Sequence, residues 1–272
     1  IINVYDVMGV CGNGASYAVQ KEAEVGKADL LIATTSSDEI NILACLVAKK
    51  LGVAHTIARI RNPEYETQLR FMRGELGLTM SINPEKAAAH EIARVLRFPA
   101  AMKLESFSKG RLELVEYRLP EGSGLDGVRL LDIYRNARAR VLICAVSRKG
   151  QTTIPSGDFE LKTGDKIYVT AAPEHLSAFF QYLGVFRKKA STVMIVGASK
   201  MCYYLADELL HMGMSVKIVD QNEARCTQMS ELLPRALVIQ GDGTDSELLA
   251  EEGIEQTDAF VALTGIDEAN IL

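Results

Sequence analysis

Short apolar runs alternate with amphipathic stretches over the last third of the chain. Continuous apolar runs of this length are typical of strands buried on both faces of a parallel sheet. The predicted strands are 193–196, 216–220, 236–240 and 259–264. Predicted helices lie between them: one carries Leu205, Leu209 and Met212 on one face, one covers 222–233, and a short one follows Asp245 as N-cap. This alternation predicts right-handed βαβ units and a Rossmann-like α/β fold with a parallel sheet.

The first third shows the same alternation. Its predicted strands are 7–11, 29–35, 56–61 and 79–82, and its predicted helices are 40–51, 64–74 and 85–98, the last one ended by Pro99. The middle differs, because strand-like segments at 112–117, 141–146 and 166–169 are interrupted by glycines and two short helices. We therefore expect the end of a first Rossmann domain (1–84), a crossover helix (85–100), a small α+β module (101–187) with a linker at 186–189, and the start of a second Rossmann domain (192–272).

A long internal repeat joins the two ends. Residues 10–43 align without a gap to 239–272, at an offset of 229 (239 minus 10), and eleven of the 34 positions are identical. Roughly two identities would arise by chance, so the segment is a duplicated unit. Neither copy spans a whole Rossmann unit. We therefore expect a partial stretch of a longer tandem protein, with apolar sheet exposed at both incomplete edges.

Composition narrows the class of protein. The 272 residues are 48% hydrophobic and 24% charged, with a net charge of −5, which disfavours a nucleic-acid surface. No apolar run approaches the ~18–20 residues of a membrane span, and the given residues show no basic segment followed by an apolar stretch that would be read as a signal peptide. The five cysteines form no C-x-x-C pair and the four histidines are far apart, which predicts reduced, mostly buried thiols and no metal site.

The strongest chemical motif is the turn after the strand at 193–196. Gly197-Ala198-Ser199-Lys200-Met201-Cys202 stands where a dinucleotide fingerprint G-x-G-x-x-G belongs, with Ser199 and Cys202 at the second and third glycine positions. Amides at the start of the following helix are suited to a pyrophosphate. Asp220 ends the next strand, 23 residues after Gly197, where it can accept hydrogen bonds from a ribose diol.

Three further motifs each allow two readings. Gly241-Asp242-Gly243 and its echo Gly12-Asn13-Gly14 fit either an adenine edge or a plain Asx turn. Thr35 with Asp38-Glu39-x-Asn41, echoed by Thr264 with Asp267-Glu268-x-Asn270, is explained only in part by helix capping. Arg59 and Arg61 fit either phosphate binding or ion pairs with Glu64 or Glu66. No catalytic constellation is present: the sequence lacks G-x-S-x-G, H-E-x-x-H and the Walker motif.

Several segments together resemble the regulatory subunits of Trk potassium-uptake systems (the TrkA family), with tandem RCK/KTN nucleotide-binding domains around a TrkA-C module. The resemblance covers essentially the whole chain. It is carried by residues 28–52, 56–65, 152–169 and 193–206, with KIVD and GDGTD behind them.

The resemblance implies a cytoplasmic, non-enzymatic regulator at the inner face of the cell membrane. It implies NAD(H), with ATP or ADP as the alternative, as the bound nucleotide. It also implies homo-oligomers and a membrane-embedded potassium-translocating partner of the TrkH/TrkG kind, with no nucleic acid. An RCK-type regulator of a potassium channel or another cation transporter, and an NAD-dependent oxidoreductase, are the rival functions. By position, the second nucleotide site comprises Gly197, Ala198, Ser199, Lys200, Met201, Asp220, Gln221, Gly241, Asp242 and Thr264, and the first comprises Asn13, Thr35, Asp38 and Arg59.

Overall fold

The computed structural model describes residues 7–72, 74–97, 103–107, 111–136, 140–183 and 190–271. The predicted helix end at Pro99 and the predicted linker 186–189 lie outside these ranges. The strands are β1 (Leu30–Ala33), β2 (His55–Arg59), β3 (Met80–Ile82), β4 (Lys103–Phe107), β5 (Leu112–Arg118), β6 (Leu142–Arg148), β7 (Gln151–Thr153), β8 (Lys166–Ala171), β9 (Thr192–Val196), β10 (Ser215–Asp220), β11 (Leu237–Gln240) and β12 (Ala259–Ala262).

The helices are α1 (Tyr17–Glu22), α2 (Asp38–Leu51), α3 (Pro63–Met72), α4 (Pro84–Arg97), α5 (Leu130–Asn136), α6 (Pro173–Tyr182), α7 (Lys200–His211), α8 (Glu223–Leu232), α9 (Ser246–Glu251) and α10 (Asp267–Ile271). The chain forms two compact units. The first combines 1–91 with 194–272, and the second is 92–193.

The first unit holds both Rossmann parts. Below, the first copy denotes residues 7–84 and the second copy residues 192–271. In the first copy, β1, β2 and β3 form a parallel sheet in that order, with Ala33 opposite Ala58 and Arg59 opposite Ile82. In the second copy the order is β11-β10-β9-β12, and β10 and β11 are parallel. This is the 3-2-1-4 order of a doubly wound sheet, so the predicted α/β Rossmann-like fold is confirmed.

The repeat is preserved residue for residue in three dimensions. Shifted by 229, α1 falls on α9, β1 falls on β12, and the first residue of α2 falls on the first residue of α10. A short 3-10 turn at Val25–Lys27 likewise falls on one at Ile254–Gln256. Leu30 and Ile32 on β1, and Phe260 on the equivalent strand β12 of the second copy, are each more than 40% exposed, in line with the expected uncovered apolar edges.

The predicted strand at 7–11 is wrong. The structure shows no strand there, and Val7, Met8 and Cys11 are exposed. Its counterpart β11 is hydrogen bonded to β10, and the first copy has no equivalent of β10 among the described residues. A strand without a ladder partner leaves its amides and carbonyls unpaired, so the apolar pattern alone does not fix it.

Local signals explain where the helices begin and end. Ser37, Ser199 and Asn222 each accept a backbone N–H of the first turn of the helix that they precede, and the predicted cap Asp245 does the same for α9. Gly52 ends α2 in the left-handed region at φ 109°.

The second unit is an antiparallel sheet in the order β4-β5-β8-β6-β7 with α5 and α6. Its core includes Val115, Ile143, Val169 and Phe179, all at most 2% exposed. A register shift between Ile143 and Ala145 marks a β-bulge. The sequence patterns did not predict β4 or the short β7. Neither segment is a continuous apolar run in the sequence, and β7 is exposed throughout.

Candidate functional site

A cavity of about 750 Å³ opens at the carboxyl ends of the strands of the second copy. Open α/β sheets place ligands at this edge. Eight of the predicted site residues line the cavity: Gly197, Ala198, Ser199, Lys200, Asp220, Gln221, Asp242 and Thr264. Met201 and Gly241 adjoin these residues in sequence without lining the cavity themselves.

Gly197 shapes the turn between β9 and α7. Its φ is +100°, and a Cβ at this position would lie 2.6 Å from the carbonyl oxygen of Leu263. Only glycine therefore allows β9 and the end of β12 to approach this closely. The residue supplies the tight turn that a dinucleotide fingerprint requires.

The remaining fingerprint positions have structural partners. The Ser199 hydroxyl accepts the N–H of Cys202 at 3.2 Å and so caps α7. Cys202 is fully buried, and burial, together with the negative charge of Asp220, raises the pKa of its thiol to about 12. No described residue accepts the N–H groups of Ser199, Lys200 and Met201. These three donors stand at the positive end of the α7 dipole and can receive an anion.

Asp220 connects the turn to the second strand. Its carboxylate accepts the N–H of Ala198 at 2.7 Å and that of Asn222 at 2.8 Å, and the side chain is 8% exposed. The guanidinium of Arg225 lies 3.8 Å away. Each carboxylate oxygen keeps a lone pair that can face the cavity, which suits a ribose hydroxyl.

The glycines around Asp242 follow from turn geometry. A Cβ on Gly241 would lie 2.4 Å from Leu248, and one on Gly243 would lie 2.1 Å from Val196. The Asp242 carboxylate accepts the N–H and the hydroxyl of Thr244, which lowers its pKa. The structure therefore shows the Asx turn, and contact with an adenine edge stays a prediction.

The first copy repeats this turn. The side-chain oxygen of Asn13 accepts the N–H of Ala15 at 3.0 Å, and a Cβ on Gly12 would lie 2.8 Å from Val19, the counterpart of Leu248. Asn13 and Thr35 do not line the cavity. Their role in a first nucleotide site stays a prediction.

The conserved spacing of threonine and asparagine in the two copies has a structural cause. The Asn41 side-chain oxygen accepts both the N–H and the hydroxyl of Thr35, and Asn270 does the same for Thr264, at 2.7 to 2.8 Å. Asn41 also donates to the carbonyl of Arg59 at 2.8 Å. The pair therefore closes the loop after β1 in the first copy and the loop after β12 in the second, which helix capping alone does not explain.

Asp38 and Arg59 are engaged within the first copy. The buried Asp38 carboxylate accepts the N–H groups of Arg61 and Asn62 at 2.9 and 2.8 Å and pairs with the Arg61 guanidinium. Arg59 donates to the carbonyl of Thr35 at 2.7 Å. The predicted ion pair of Arg59 with Glu64 is absent among the described residues, and the Glu66 side chain lies outside them.

Several cavity residues escaped the sequence reasoning. Tyr203 lies on α7. One face of α8 contributes Arg225, Gln228, Met229 and Leu232, and their helical spacing is a signal in the sequence that could have identified this face. Asn62, Pro63 and Glu64 come from the first copy, more than 130 residues before Gly197. No local signal indicated that these two segments meet.

The comparisons with known proteins agree with this geometry. The TrkA-N domain model matches residues 3–84 and 193–272, and the TrkA-C domain model matches residues 114–184. The chain belongs to the TrkA-N domain family. The resemblance drawn from the sequence is thereby confirmed.

Relatives that are 34–35% identical to the chain carry names from the same family. The Trk system potassium uptake protein TrkA homolog of Archaeoglobus fulgidus is 35% identical over 273 residues, covering 100% of this chain and 61% of the relative. TrkA homolog 1 of Methanosarcina mazei is 34% identical (98% and 67%), and TrkA of Vibrio alginolyticus is 34% identical (98% and 59%). This TrkA-N chain thus spans about three fifths to two thirds of these relatives.

Solved structures share the fold. The GsuK channel matches with a TM-score of 0.64 at 20% identity, over 99% of this chain and 47% of that chain. The GsuK channel bound to NAD matches with a TM-score of 0.59 at 21% identity, over 96% and 45%. GsuK bound to ADP matches with a TM-score of 0.52 at 15% identity, over 99% and 46%.

The described part of this TrkA-N chain contains neither a membrane span nor a metal-binding cluster. No described helix combines the length and apolarity needed to cross a bilayer. Among the same residues, no group of three or more histidine, cysteine or acidic side chains is arranged to hold a metal ion.

Proposed function

We propose that this chain is part of a cytosolic, non-enzymatic regulatory subunit of a Trk-type potassium-uptake system. In this proposal it binds NAD(H), or ATP and ADP as the alternative, and gates a membrane-embedded potassium-translocating partner. Residues 1–84 and 192–272 act as two Rossmann parts, and 101–187 act as the TrkA-C module. The observation that carries the proposal is the cavity where the Gly197 turn, the α7 amides and Asp220 converge.

The cavity supports one mode of nucleotide binding. The N–H groups of Ser199 and Lys200, which no described residue accepts, receive the pyrophosphate, with the Lys200 ammonium beside it. Asp220 accepts the hydroxyls of the adenosine ribose, and the turn around Asp242 borders the base. A carboxylate at the ribose position disfavours a 2′-phosphate, so NAD is preferred to NADP.

Regulation follows from differential binding. A ligand shifts an equilibrium between two arrangements of the protein only as far as it binds one of them more tightly. The cavity has walls from both copies of the repeat, so its shape depends on how the copies are arranged. Nucleotide binding then biases one arrangement, which the partner at the inner face of the membrane senses. Homo-oligomers extend this coupling across subunits.

The GsuK likeness motivates a second candidate. The same ligand-biased switch could serve a potassium channel or another cation transporter instead of a Trk uptake system. Copurification of the tagged chain from detergent extracts, followed by identification of the bound membrane protein, distinguishes these partners. An NAD-dependent oxidoreductase is a third candidate, and it requires a proton donor held beside the nicotinamide.

Calorimetric titration of the chain with NAD, NADH, ADP and ATP tests the site. We expect saturable binding of at least one of them, weakened about tenfold or more in Asp220→Asn, since a charged hydrogen bond to ribose is lost. Glu231→Gln is the matched control: it removes one acidic charge from α8 at an exposed position outside the cavity. Absence of binding by all four ligands refutes the proposal, and so does steady turnover of NADH with a panel of carbonyl substrates.

A further inference from the structure

The segment Asn62–Glu64, which includes the first two residues of α3, makes the first copy part of the second copy's cavity. It is fixed against the start of α7. The Tyr204 hydroxyl donates to the carbonyl of Arg61 at 3.0 Å and accepts the Asn83 amide at 2.8 Å. Tyr204 is 7% exposed, so this anchor is sheltered from water.

A second contact supports the same placement. The Lys200 ammonium lies 4.0 Å from the carboxylate of Asp38, and that carboxylate accepts the N–H of Asn62. Lys200 directly follows the Gly197 turn and belongs to the first turn of α7. The segment Asn62–Glu64 therefore borders the end of the cavity at which, in the proposed function, the amides at the start of α7 receive phosphate.

The charges around the cavity are unevenly compensated. Its charged side chains are Glu64, Lys200, Asp220, Arg225 and Asp242. Each cation has a carboxylate within 4.0 Å, Lys200 that of Asp38 and Arg225 that of Asp220. The exposed carboxylate of Glu64 forms no ion pair within the described part of the chain. A negative charge thus remains uncompensated at the phosphate end.

We infer that Glu64 selects the ligand by charge, favouring a dinucleotide over a nucleoside polyphosphate. In a dinucleotide both phosphates are esterified on each side, and the group beyond them is a ribose with hydroxyls that a carboxylate accepts. In ADP or ATP the same space holds a terminal phosphate, which the Glu64 carboxylate repels. The inference rests on the proposed function, because it concerns which nucleotide the cavity takes.

Ligands of graded charge provide the test. In the presence of a chelator, so that no divalent cation shields the phosphates, ATP carries about four negative charges, ADP about three, NADH about two and NAD about one. We expect Glu64→Gln to tighten ATP binding roughly three- to tenfold, ADP less, and NAD not at all, so that the gain grows with ligand charge. Raising the salt concentration should shrink this gain.

Two further variants make the result specific. Glu64→Asp keeps the charge and should keep the discrimination, whereas Glu231→Gln removes an exposed charge that does not line the cavity and should leave all four affinities unchanged. If the wild type binds nucleotides but Glu64→Gln changes all of them equally or none, the inference is overturned while the proposed function stands. If the wild type binds none, the proposed function itself fails.

Discussion

The side-chain oxygen of Asn41 accepts the backbone N–H and the hydroxyl of Thr35, both at 2.7 Å. Its amide nitrogen donates to the carbonyls of Thr35 and Arg59. One fully buried side chain therefore fixes the loop after β1 and ties it to the end of β2. In the second copy Asn270 makes the same bonds to Thr264, but within the described residues it makes none to a neighbouring strand.

Replacing Asn41 by alanine should lower the free energy of unfolding by about 2–4 kcal/mol, since several buried hydrogen-bonding groups lose their partner. Urea unfolding followed by circular dichroism measures the change. Asn270→Ala is the matched control and should cost less, by about 1 kcal/mol or more, because Asn270 is only half-buried. Equal losses in the two variants would contradict the role given to the Arg59 contact.

Gly197→Ala should destabilise the chain and weaken nucleotide binding. The added Cβ would meet the backbone at Leu263, which cannot move aside as a side chain can, and the positive φ adds strain. Gly213→Ala is the comparison, because Gly213 has a φ of +80° but no described atom within 4 Å of the added Cβ. We expect about 1 kcal/mol for Gly213→Ala and at least about 2 kcal/mol more for Gly197→Ala, measured by thermal unfolding. Similar melting temperatures would show that β9 and β12 are not so tightly packed here.

Lowering the pH should destabilise the folded second unit, because it protonates the carboxylate of Asp165. This carboxylate is 1% exposed and forms two 2.7 Å hydrogen bonds with the guanidinium of Arg148. Burial by itself raises the pKa of Asp165, but the bonds from Arg148 and from the N–H of Lys162 outweigh it, and the net pKa is lowered. The resulting stabilisation is fully present above the unfolded pKa of about 3.9 and is lost as the pH falls through the lower folded pKa.

Unfolding by urea at several pH values between about 5 and 2 follows this loss. Asp165→Asn should cost about 3 kcal/mol at pH 7, since it leaves Arg148 without its ionic partner, and it should flatten the acid limb. Asp132→Asn breaks the exposed pair with Arg129 and should change neither quantity noticeably. If Asp165→Asn loses as much unfolding free energy between about pH 5 and 2 as the wild type does, the pH dependence arises from other carboxylates.

Tyr204→Phe should make the segment Asn62–Glu64 at the start of α3 less stably held, while preserving the ring contact with Lys86. It removes the hydroxyl that bonds to Arg61 and Asn83, at a cost of about 1 kcal/mol. Hydrogen exchange read by mass spectrometry should show faster exchange in peptides that cover 61–65. If the hydrogen exchange rates of these peptides equal those of the wild type, other contacts hold the segment Asn62–Glu64 in place.

The sequence predicted best those features that depend on neighbours along the chain. Apolar runs located β9 and β10, and Asp245 was placed correctly as the cap of α9, because burial periodicity and capping are local. The segment 7–11 has the same apolar pattern but no ladder partner, and pairing cannot be read from one strand. Glu64 and Gly197 line the same cavity only because two segments distant in sequence pack together, which no spacing rule encodes.

A ligand bound in this cavity stabilises the contact between two segments that are distant along the chain. Since one wall comes from residues near position 63 and the other from residues after 196, a bound molecule resists their separation. At a ligand concentration a hundredfold above the dissociation constant, this resistance amounts to about 2.7 kcal/mol. Proteolytic cleavage between the walls should therefore release two fragments in the absence of ligand and leave them associated in its presence.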